Sequence, residues 1–566
     1  MIGNHQGPAA SSCRFLHFIP LKRIASNGVY MSTHRFKTDF REQYPACFEL
    51  LPDLENILEE DKGLSEVLSR HPEHYRRYPF LLDLARIEES RHRLMTSPPS
   101  IPEGVTHPIV NPALELMAVS WQHLPEFLSD RSVVPEPCEG YVLVLIRPGK
   151  KSIQVRNAEA GDLLALKIVA EGIKPRKAAA EGGVAVGAID NVLYRAEQIG
   201  LILVPPSRIQ RPAEFPKGEV NDPEFFSSST FTLQWHITQT CDLDCRHCYD
   251  RSDRKAMTLE QALGVLDDLF DFCREHYVFG QVSFSGGNPM LYPHFDQLYS
   301  EAVDRGFMTA ILGNPMPRDR IERMLAVQKP EFYQISLEGL KAHNDFIRGS
   351  GHFDRVLDFL KLLGELGVYR MVMLTLTRDN MDQVLKLADH LKGLTELFTF
   401  NRLTAVGRGA ELSAVPVERF PDFLTRYMDA AATNPCMGFK DNLFNLLRWQ
   451  QGLPFDGGCA GHGCGAAFNF VAVLPDGEVH ACRKMPSLIG NIYRERLNDI
   501  YYGNAARRYR AGSQSCSTCP VRPVCGGCPA VSYGFGLDIF NELDPYCFRN
   551  NMTPKIVDDV VKRRRT

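Results

Sequence analysis

The 566-residue sequence lacks long hydrophobic runs, and it lacks an excess of charge of either sign. No apolar stretch approaches the roughly 18 residues that a membrane-spanning helix needs, so the sequence predicts no membrane partner. Lysine and arginine total 64 against 68 aspartate and glutamate residues, which gives a net charge of -4. This balance gives no reason to expect a nucleic-acid partner.

The 16 cysteines are too few for a disulfide scaffold in a chain of this length. Eleven of them fall in metal-ligand spacings, which a reducing compartment would preserve, so the sequence predicts a cytoplasmic protein. The others are scattered and are expected to be buried as small hydrophobic residues: Cys13, Cys47, Cys138, Cys273 and Cys436.

Three of the cysteines, Cys241, Cys245 and Cys248, are grouped in the run Thr-Cys-Asp-Leu-Asp-Cys-Arg-His-Cys-Tyr. Three thiolates can hold a four-iron cluster and leave its fourth iron open, whereas electron-carrying clusters normally receive four. No fourth cysteine is close in sequence, so the triplet favours a site that a substrate or cofactor completes. A zinc knuckle, or chance, is the alternative that the triplet alone leaves open.

A second group of eight cysteines lies in the last quarter of the chain. They are Cys459, Cys464, Cys482, Cys516, Cys519, Cys525, Cys528 and Cys547. Such density outside a secreted disulfide protein indicates metal binding. Eight thiolates suffice for two closed four-iron clusters, and two zinc ribbons would use the same ligands.

The amino-terminal part predicts a tail and a helical module. Residues 1–35 are interpreted as a disordered tail or a misassigned start, with Met31 as the expected first residue. Residues 36–130 are interpreted as a helical module, in which 99–130 is irregular and proline-rich. The helical spacing is carried by Leu50, Leu54, Ile57 and Leu58, and by a second stretch from Leu81 to Ile87.

Residues 131–206 predict a β-hairpin followed by helices. Strands are expected at 141–146 and 152–156, and helices at 158–170, 174–181 and 184–199, the last ended by Gly200. This order of elements resembles the small peptide-recognition domain typified by the PqqD protein, which implies capture of an extended leader peptide along a sheet edge. An ordinary winged-helix domain, which binds nucleic acid in some proteins, is the alternative.

After a linker at 207–230, residues 231–405 alternate between strands and helices. Strands are predicted near 231–238, 281–285, 309–312, 332–337, 371–376 and 398–403. Six such units predict an α/β fold with a parallel sheet curved into an incomplete barrel, whose sites lie at the carboxyl ends of the strands. The cysteine triplet follows the first strand. A helical bridge is expected at 406–458, a cysteine-rich domain at 459–550 and a basic tail at 551–566.

The spacing Cys-x3-Cys-x2-Cys, together with the strand-end segments, resembles radical S-adenosylmethionine enzymes. The resemblance implies a partial (β/α)6 barrel and a site-open 4Fe-4S cluster whose open iron is chelated by S-adenosylmethionine. It also implies reductive cleavage of that cofactor to a 5′-deoxyadenosyl radical. A group at the position of His247 contacts adenine in the family. The run Ser285-Gly286-Gly287-Asn288-Pro289 stands where the family holds the methionine amino group, with Asn288 in place of the usual glutamate.

The later strands carry further implied contacts. Ser336 and Glu338 are expected to bind ribose hydroxyls, and Arg348 the methionine carboxylate, with a surface ion pair as the alternative for Arg348. The segment 401–409 resembles the family segment whose backbone lies against adenine. No residue is assigned as general acid or base.

The later cysteines resemble the SPASM extension of peptide-modifying radical enzymes. The resemblance implies a first auxiliary 4Fe-4S cluster on Cys459, Cys464, Cys482 and Cys528. It implies a second on Cys516, Cys519, Cys525 and Cys547. Only Gly526 and Gly527 separate Cys525 from Cys528, where the family usually has three residues, so the ligand set is left open.

The combined layout resembles maturases of ribosomally synthesised peptides, and most of all the selenobiotic or thio(seleno)oxazole peptide maturases. This implies oxidative modification of a Cys- or selenocysteine-containing precursor peptide, with an electron donor such as ferredoxin or flavodoxin. The alternatives are a maturase like those of sulfatases, and a non-catalytic iron–sulfur protein that binds or transfers electrons.

Overall fold

The structure is a computed structural model that describes residues 40–56 and 62–549. The predictions for 1–35, Met31, Cys13, Ile57, Leu58 and the basic tail at 551–566 lie outside the described residues. The chain divides into two compact units, one ending at Pro206 and the other beginning at Ser207. In the described part of the chain, no helix is long and apolar enough to cross a membrane.

The amino-terminal unit begins with four helices, and a buried carboxylate completes the start of one of them. Their bounds are α1 (Phe40–Gln43), α2 (Pro45–Leu50), α3 (Leu64–Arg70) and α4 (Leu81–Thr96). Glu88 on α4 accepts hydrogen bonds from the N–H groups of Ala46 and Cys47, at 2.7 and 3.0 Å. These donors have no partner within α2, so Glu88 satisfies them. Helices are confirmed on both sides of the undescribed residues.

A three-stranded antiparallel sheet follows. Its elements are β1 (Ile109–Val110), β2 (Leu114–Gln122), α5 (Leu124–Ser129), β3 (Glu136–Ile146) and β4 (Ile153–Asn157), with β3 between β2 and β4. The strands predicted at 141–146 and 152–156 are confirmed. The interpretation of 99–130 as irregular was wrong, because β2 pairs with β3 from Leu114 to Gln122. That pairing is non-local, and the flanking prolines conceal it in the sequence.

Three of the scattered cysteines are buried as expected, and one is not. Cys47, Cys273 and Cys436 are buried, whereas Cys138 is exposed. Cys138 lies in the first half of β3, where the residues face solvent, and only the second half from Val142 to Ile146 is buried. The prediction for Cys138 was therefore wrong.

Helices and a return strand complete this unit. They are α6 (Ala160–Ala170), α7 (Pro175–Gly182), α8 (Val186–Gln198) and β5 (Ile202–Leu203), which confirms the three predicted helices. Gly200 has a φ of +78°, the left-handed conformation in which glycine ends helices. β5 then pairs antiparallel with β1, at Leu203 opposite Ile109.

The carboxyl-terminal unit is built on parallel strands separated by helices. The strands are β6 (Thr230–Thr238), β7 (Phe279–Gly286), β8 (Met308–Leu312), β9 (Phe332–Ser336), β10 (Arg370–Leu376) and β11 (Leu397–Arg402). The intervening helices are α9 (Leu259–His276), α10 (Phe295–Asp304), α11 (Arg318–Val327), α12 (Lys341–Arg348), α13 (His352–Glu365) and α14 (Val384–Leu391). All six predicted strands are confirmed, and the α/β class is confirmed with them.

The cysteine-rich region extends this same sheet. After α15 (Phe420–Ala431) and α16 (Phe444–Gln450) come β12 (Phe470–Val473), β13 (Glu478–His480), β14 (Leu488–Asn491), α17 (Leu497–Tyr502), α18 (Asn504–Ala511) and α19 (Pro529–Gly534). β12 pairs in parallel with β6, and the strand order is β11-β10-β9-β8-β7-β6-β12-β13-β14. The sequence did not predict these three strands. Through them, the cysteine-rich region is joined edge to edge to the barrel strands.

Alternation along β6 shows how the sheet positions a site. Phe231, Leu233 and Trp235 are fully buried on one face of the strand. Thr232 and Gln234 point to the other face and line a cavity. Successive side chains of a strand point to opposite faces, so the helices cover one face of β6 while the other stays polar.

Candidate active site and cysteine cavities

The cysteine triplet lies in the loop that follows β6, at the carboxyl end of the parallel strands. Cys241, Cys245 and Cys248 line one cavity of about 320 Å³, here called the three-cysteine cavity. Residues at or next to the ends of all six strands line it as well: Gln239, Gly286, Leu312, Ser336, Thr375 and Arg402. Parallel α/β sheets bind ligands at this edge, so the location agrees with the sequence expectation.

Two glycines let the end of β7 lie against the end of β6. Gly286 has a φ of +123°, and a Cβ on it would stand 2.2 Å from the carbonyl oxygen of Thr238. A Cβ on Gly287 would stand 2.2 Å from the carbonyl oxygen of Thr240. Any side chain here would push the two strand ends apart, so the paired glycines keep the triplet loop close to β7. Both glycines line the three-cysteine cavity.

Asn288 is fully buried and has one unsatisfied acceptor. Its Nδ2 donates to Asp242 at 3.0 Å, whereas its Oδ1 has no hydrogen-bond partner among the described residues. That oxygen stands 3.2 Å from the position of a Cβ on Gly313, a residue that lines the cavity. A free carbonyl oxygen beside the cavity suits an ammonium group. Pro289 follows and begins a buried 3-10 turn.

Asp242 and Asn314 support the triplet loop, and neither was predicted from the sequence. Asn314 donates to Asp242 at 2.7 Å and its amide nitrogen lies 3.5 Å from the Cys241 sulfur. Asp242 thereby receives hydrogen bonds from residues that follow two different strands, β7 and β8. The position of Asp242 within the triplet was the only available clue, because nothing around Asn314 marks it.

Glu338 forms a buried charge network with residues that line the three-cysteine cavity. Its Oε1 accepts from Arg348 Nη2 at 2.6 Å and lies 3.0 Å from His247 Nε2, and its Oε2 accepts the N–H of Thr375 at 2.8 Å. Burial opposes ionisation, but the His247 ring and the Arg348 guanidinium hold the pKa of Glu338 well below its usual range. Both carboxylate oxygens are engaged within the protein, and the ribose contact expected of Glu338 stays a prediction.

The other predicted contacts are distributed around this network. His247, Ser336 and Arg348 line the cavity, and Arg348 Nη1 lies 3.7 Å from the Cys245 sulfur. The segment 401–409 packs on the triplet loop, because Arg408 N–H donates to the Cys248 carbonyl at 3.0 Å. A Cβ on Gly407 would lie 2.5 Å from the Tyr249 carbonyl oxygen. The structure therefore brings these segments to one cavity.

The later cysteines line two further cavities. Cys459, Cys464, Cys482 and Cys528, here called the first cysteine set, line a cavity of about 270 Å³. Cys516, Cys519, Cys525 and Cys547, the second cysteine set, line another of about 240 Å³. These groups have the same members as the two ligand sets implied by the SPASM resemblance. The cavity of the first cysteine set shares four lining residues with the three-cysteine cavity: Asn401, Arg402, Arg483 and Lys484.

The described residues contain no group of three or more His, Cys, Asp or Glu side chains that could hold a metal ion. Each cysteine set instead surrounds a cavity. All the described cysteines are free thiols. Burial raises the pKa of Cys464 and of Cys516 to about 11, so ligation must displace a proton from each.

Comparisons with known proteins agree with this arrangement. The radical SAM superfamily model matches residues 235–391, and the SPASM iron-sulfur cluster-binding domain model matches residues 464–529. The chain therefore contains a radical SAM domain and a SPASM domain, and it is an enzyme. Its cofactors are S-adenosylmethionine, a 4Fe-4S cluster and auxiliary iron–sulfur clusters. The unpartnered Asn288 oxygen and the cavities lined by thiols fit these groups.

Similar curated proteins include the mycofactocin maturase MftC of Mycolicibacterium smegmatis, 28% identical over 58% of this chain and 86% of that protein. The antilisterial bacteriocin subtilosin biosynthesis protein AlbA of Bacillus subtilis is 24% identical over 53% of this chain and 68% of its own length. The solved structure of Streptococcus suis SuiB bound to precursor peptide SuiA has a TM-score of 0.47 at 18% identity. The match covers 73% of this chain and 95% of the SuiB chain.

Proposed function

We propose that this chain is a radical SAM maturase that oxidises a Cys- or selenocysteine-containing, ribosomally synthesised peptide. One observation carries the proposal. The three-cysteine cavity and the cavity of the first cysteine set share the wall formed by Arg402, Arg483 and Lys484 together with Asn401. A site that begins radical chemistry thus adjoins one that can hold a closed, electron-accepting cluster.

The residues around the two cavities have separate roles. Cys241, Cys245 and Cys248 would hold the site-open cluster, and the Asn288 oxygen would accept a hydrogen bond from the methionine ammonium. When bound and reduced by one electron, S-adenosylmethionine supplies a carbon radical that takes a hydrogen atom from unactivated carbon. Loss of the second hydrogen would then remove one electron and one proton from the substrate radical. The first cysteine set offers ligands for a closed cluster beside the same cavity that would accept the electron, and the proton would leave to solvent.

Peptide recognition is assigned to the amino-terminal unit. In the described residues, β4 pairs only with β3, so it is an edge strand of the three-stranded sheet. An extended peptide can add to such an edge as a further strand. The named relatives support a peptide substrate, since MftC is a mycofactocin maturase and AlbA a subtilosin biosynthesis protein. Selection of cysteine or selenocysteine is what the sequence resemblance implies.

The test is anaerobic turnover by the full chain. The chain is reconstituted to about twelve irons and reduced with dithionite in the presence of S-adenosylmethionine. It is then given a leader-bearing cysteine peptide and the matched peptide in which serine replaces that cysteine. We expect 5′-deoxyadenosine and a mass loss of two hydrogens from the cysteine peptide alone, and neither change without the leader.

Three outcomes would contradict the proposal. No 5′-deoxyadenosine from the fully loaded chain would indicate a protein that only binds clusters or transfers electrons. Modification without leader dependence would favour a maturase like those of sulfatases. Equal oxidation of the serine peptide would remove the cysteine or selenocysteine preference and leave peptide maturation intact.

A further inference from the structure

Arg402, the last residue of β11, lies in a buried ion-pair network that the mechanism above does not use. Its Nη1 and Nη2 donate to the two carboxylate oxygens of Asp544, at 2.7 and 2.8 Å, and its Nε donates to Asp441 at 2.6 Å. The Arg402 side chain is 3% exposed and that of Asp544 is 2% exposed. The guanidinium also lies over the Tyr546 ring, 5.1 Å from its centroid. Its orientation is therefore fixed on several sides.

Asp544 connects this arginine to both cysteine sets. Its carboxylate accepts the N–H of Cys528, a member of the first set, at 2.8 Å. Its backbone carbonyl accepts the N–H of Cys547, a member of the second set, at 2.9 Å. A Cβ on Gly527 would stand 2.8 Å from the Asp544 Cβ, so the Cys528 segment lies directly against this residue.

Asp441 belongs to a second connection to the first set. The next residue, Asn442, accepts the N–H of Cys459 at 2.8 Å and donates to the carbonyl of Gly527 at 2.7 Å. Thus the two acidic partners of Arg402 stand beside segments that carry Cys459, Cys528 and Cys547. Those segments are distant in sequence, and one guanidinium lies between them.

The network also touches all three cavities. Arg402 lines the three-cysteine cavity and that of the first cysteine set, and Asp544 lines the cavity of the second set. A buried ion pair seldom stabilises a fold more than well-packed apolar residues would, because desolvation offsets the attraction between the charges. In a poorly polarisable interior, however, such charges act strongly on neighbouring thiolates and clusters.

We propose that Arg402 and Asp544 are positioning residues that fix both cysteine sets to the end of β11. We further propose that their charges set the reduction potential of the cluster that Cys528 helps to hold. The inference rests on the ligand sets of the proposed function. The guanidinium stabilises added negative charge on that cluster and raises its potential, whereas the carboxylate lowers it.

The experiment measures potentials rather than turnover. The full chain carries Cys245→Ala so that auxiliary clusters are observed without the site-open one. Arg402→Met, Arg402→Lys and Asp544→Asn are added to it separately and reconstituted. Anaerobic redox titrations are followed by electron paramagnetic resonance. Arg305→Met is the matched control, because Arg305, which follows α10, pairs with Asp267 of α9 at 3.0 Å and with Glu301 of α10 at 2.7 Å, and it does not line the cysteine cavities.

We expect Arg402→Met to lower one auxiliary potential and Asp544→Asn to raise it. Each shift should be near tenfold in the oxidised-to-reduced ratio, about 59 mV for one electron. Arg402→Lys should keep most of the native value, and Arg305→Met all of it. A merely structural pair would lose iron in both variants without opposite shifts, so shifts of the same sign, or none, overturn the inference. If Cys528→Ala leaves every auxiliary signal intact, the ligand assignment fails and the inference with it.

Discussion

The three-cysteine loop and the two later cysteine sets differ in how far apart their ligands stand in the sequence. Cys241, Cys245 and Cys248 follow one strand within a single loop, whereas the first cysteine set runs from Cys459 to Cys528. The loop acquires its surroundings from other strands, through residues such as Asn314 and Glu338. The later sets need tertiary structure even to bring their thiols together. The triplet ligands are therefore brought together by a local motif, whereas the ligands of the later sets are brought together by packing of distant segments.

The largest expected effect comes from removing one thiol of each kind. Cys245→Ala should abolish 5′-deoxyadenosine formation and remove about four of about twelve irons, while auxiliary absorbance remains. Cys528→Ala should lose auxiliary absorbance and peptide product but keep cofactor cleavage. Iron content, absorbance and 5′-deoxyadenosine release check both. If Cys528→Ala also stops cofactor cleavage, the two kinds of site are not separable in this way.

Neutralising a buried carboxylate beside the three-cysteine loop should lower the free energy of unfolding more than neutralising an exposed carboxylate elsewhere in the same unit. Glu338→Gln leaves the buried Arg348 without its counter-charge and should cost roughly 3 kcal/mol of unfolding free energy. The matched variant is Glu396→Gln, whose carboxylate pairs with Arg370 but is 36% exposed, against 2% for Glu338. It should cost about 1 kcal/mol or less. Denaturant unfolding measures both, and equal losses would contradict the burial argument.

The glycines at the end of β7 give a steric test of how closely β7 lies against the end of β6. Gly286→Ala places a Cβ 2.2 Å from the Thr238 carbonyl oxygen at a positive φ and should cost roughly 2–4 kcal/mol. It should also weaken binding of S-adenosylmethionine. Gly264→Ala is the control, since this glycine lies within α9 and a Cβ there meets nothing within 4 Å. It should stabilise the chain by about 0.5–1 kcal/mol. Thermal unfolding and calorimetry distinguish the two.

A buried histidine near the loop predicts a weaker, pH-dependent effect. Burial lowers the pKa of His352 to about 4, aided by the charge of Arg348. Its Nδ1 lies 3.1 Å from the Asn344 amide nitrogen, and the Asn344 oxygen accepts the Glu338 N–H at 3.0 Å. The folded state therefore holds the neutral ring. Its contribution is complete above the unfolded pKa near 6.5 and is lost as the pH falls towards 4, by about 3 kcal/mol at most.

The measurement is unfolding free energy between pH 7 and pH 4. His352→Gln should flatten this part of the profile, and the exposed His294→Gln should leave it unchanged. A profile that keeps its slope in His352→Gln would assign the pH dependence to other groups. His352 would then not be the acid-sensitive group beside the three-cysteine loop.

Much of the fold could be predicted because its pattern is local. The six parallel strands are short apolar runs separated by helical periods, and each observed strand begins and ends within two residues of its predicted range. β2 and β12 could not be predicted in this way. β2 depends on pairing with β3, and β12 is only four residues long and pairs with β6 across more than 200 positions. No sequence period records such pairings.

The site shows the same division. The triplet and the Gly286–Gly287 pair were visible because thiol spacing and backbone approach leave a trace in adjacent residues. Asn314 and Asp544 carried no such trace, since an isolated polar residue is usually exposed. Arg402 lies in the segment 401–409, which was identified, but its pairing with Asp544 was not predicted. Glu338 was identified, but its partners were not, because His247 and Arg348 reach it only in the folded chain.

The sequence by itself determined which thiols are available, the order of the strands along the chain and the place of the triplet after the first of them. Spacing and periodicity are properties of neighbouring residues, so they are already present in the unfolded chain. Tertiary structure brought the thiols of each set, which the SPASM resemblance had already grouped, around one cavity, and it placed Arg402 at the wall shared by two of the cavities. Those arrangements depend on strand pairing and on the burial of charged groups beside their partners. Both arise only when segments distant in the sequence come into contact.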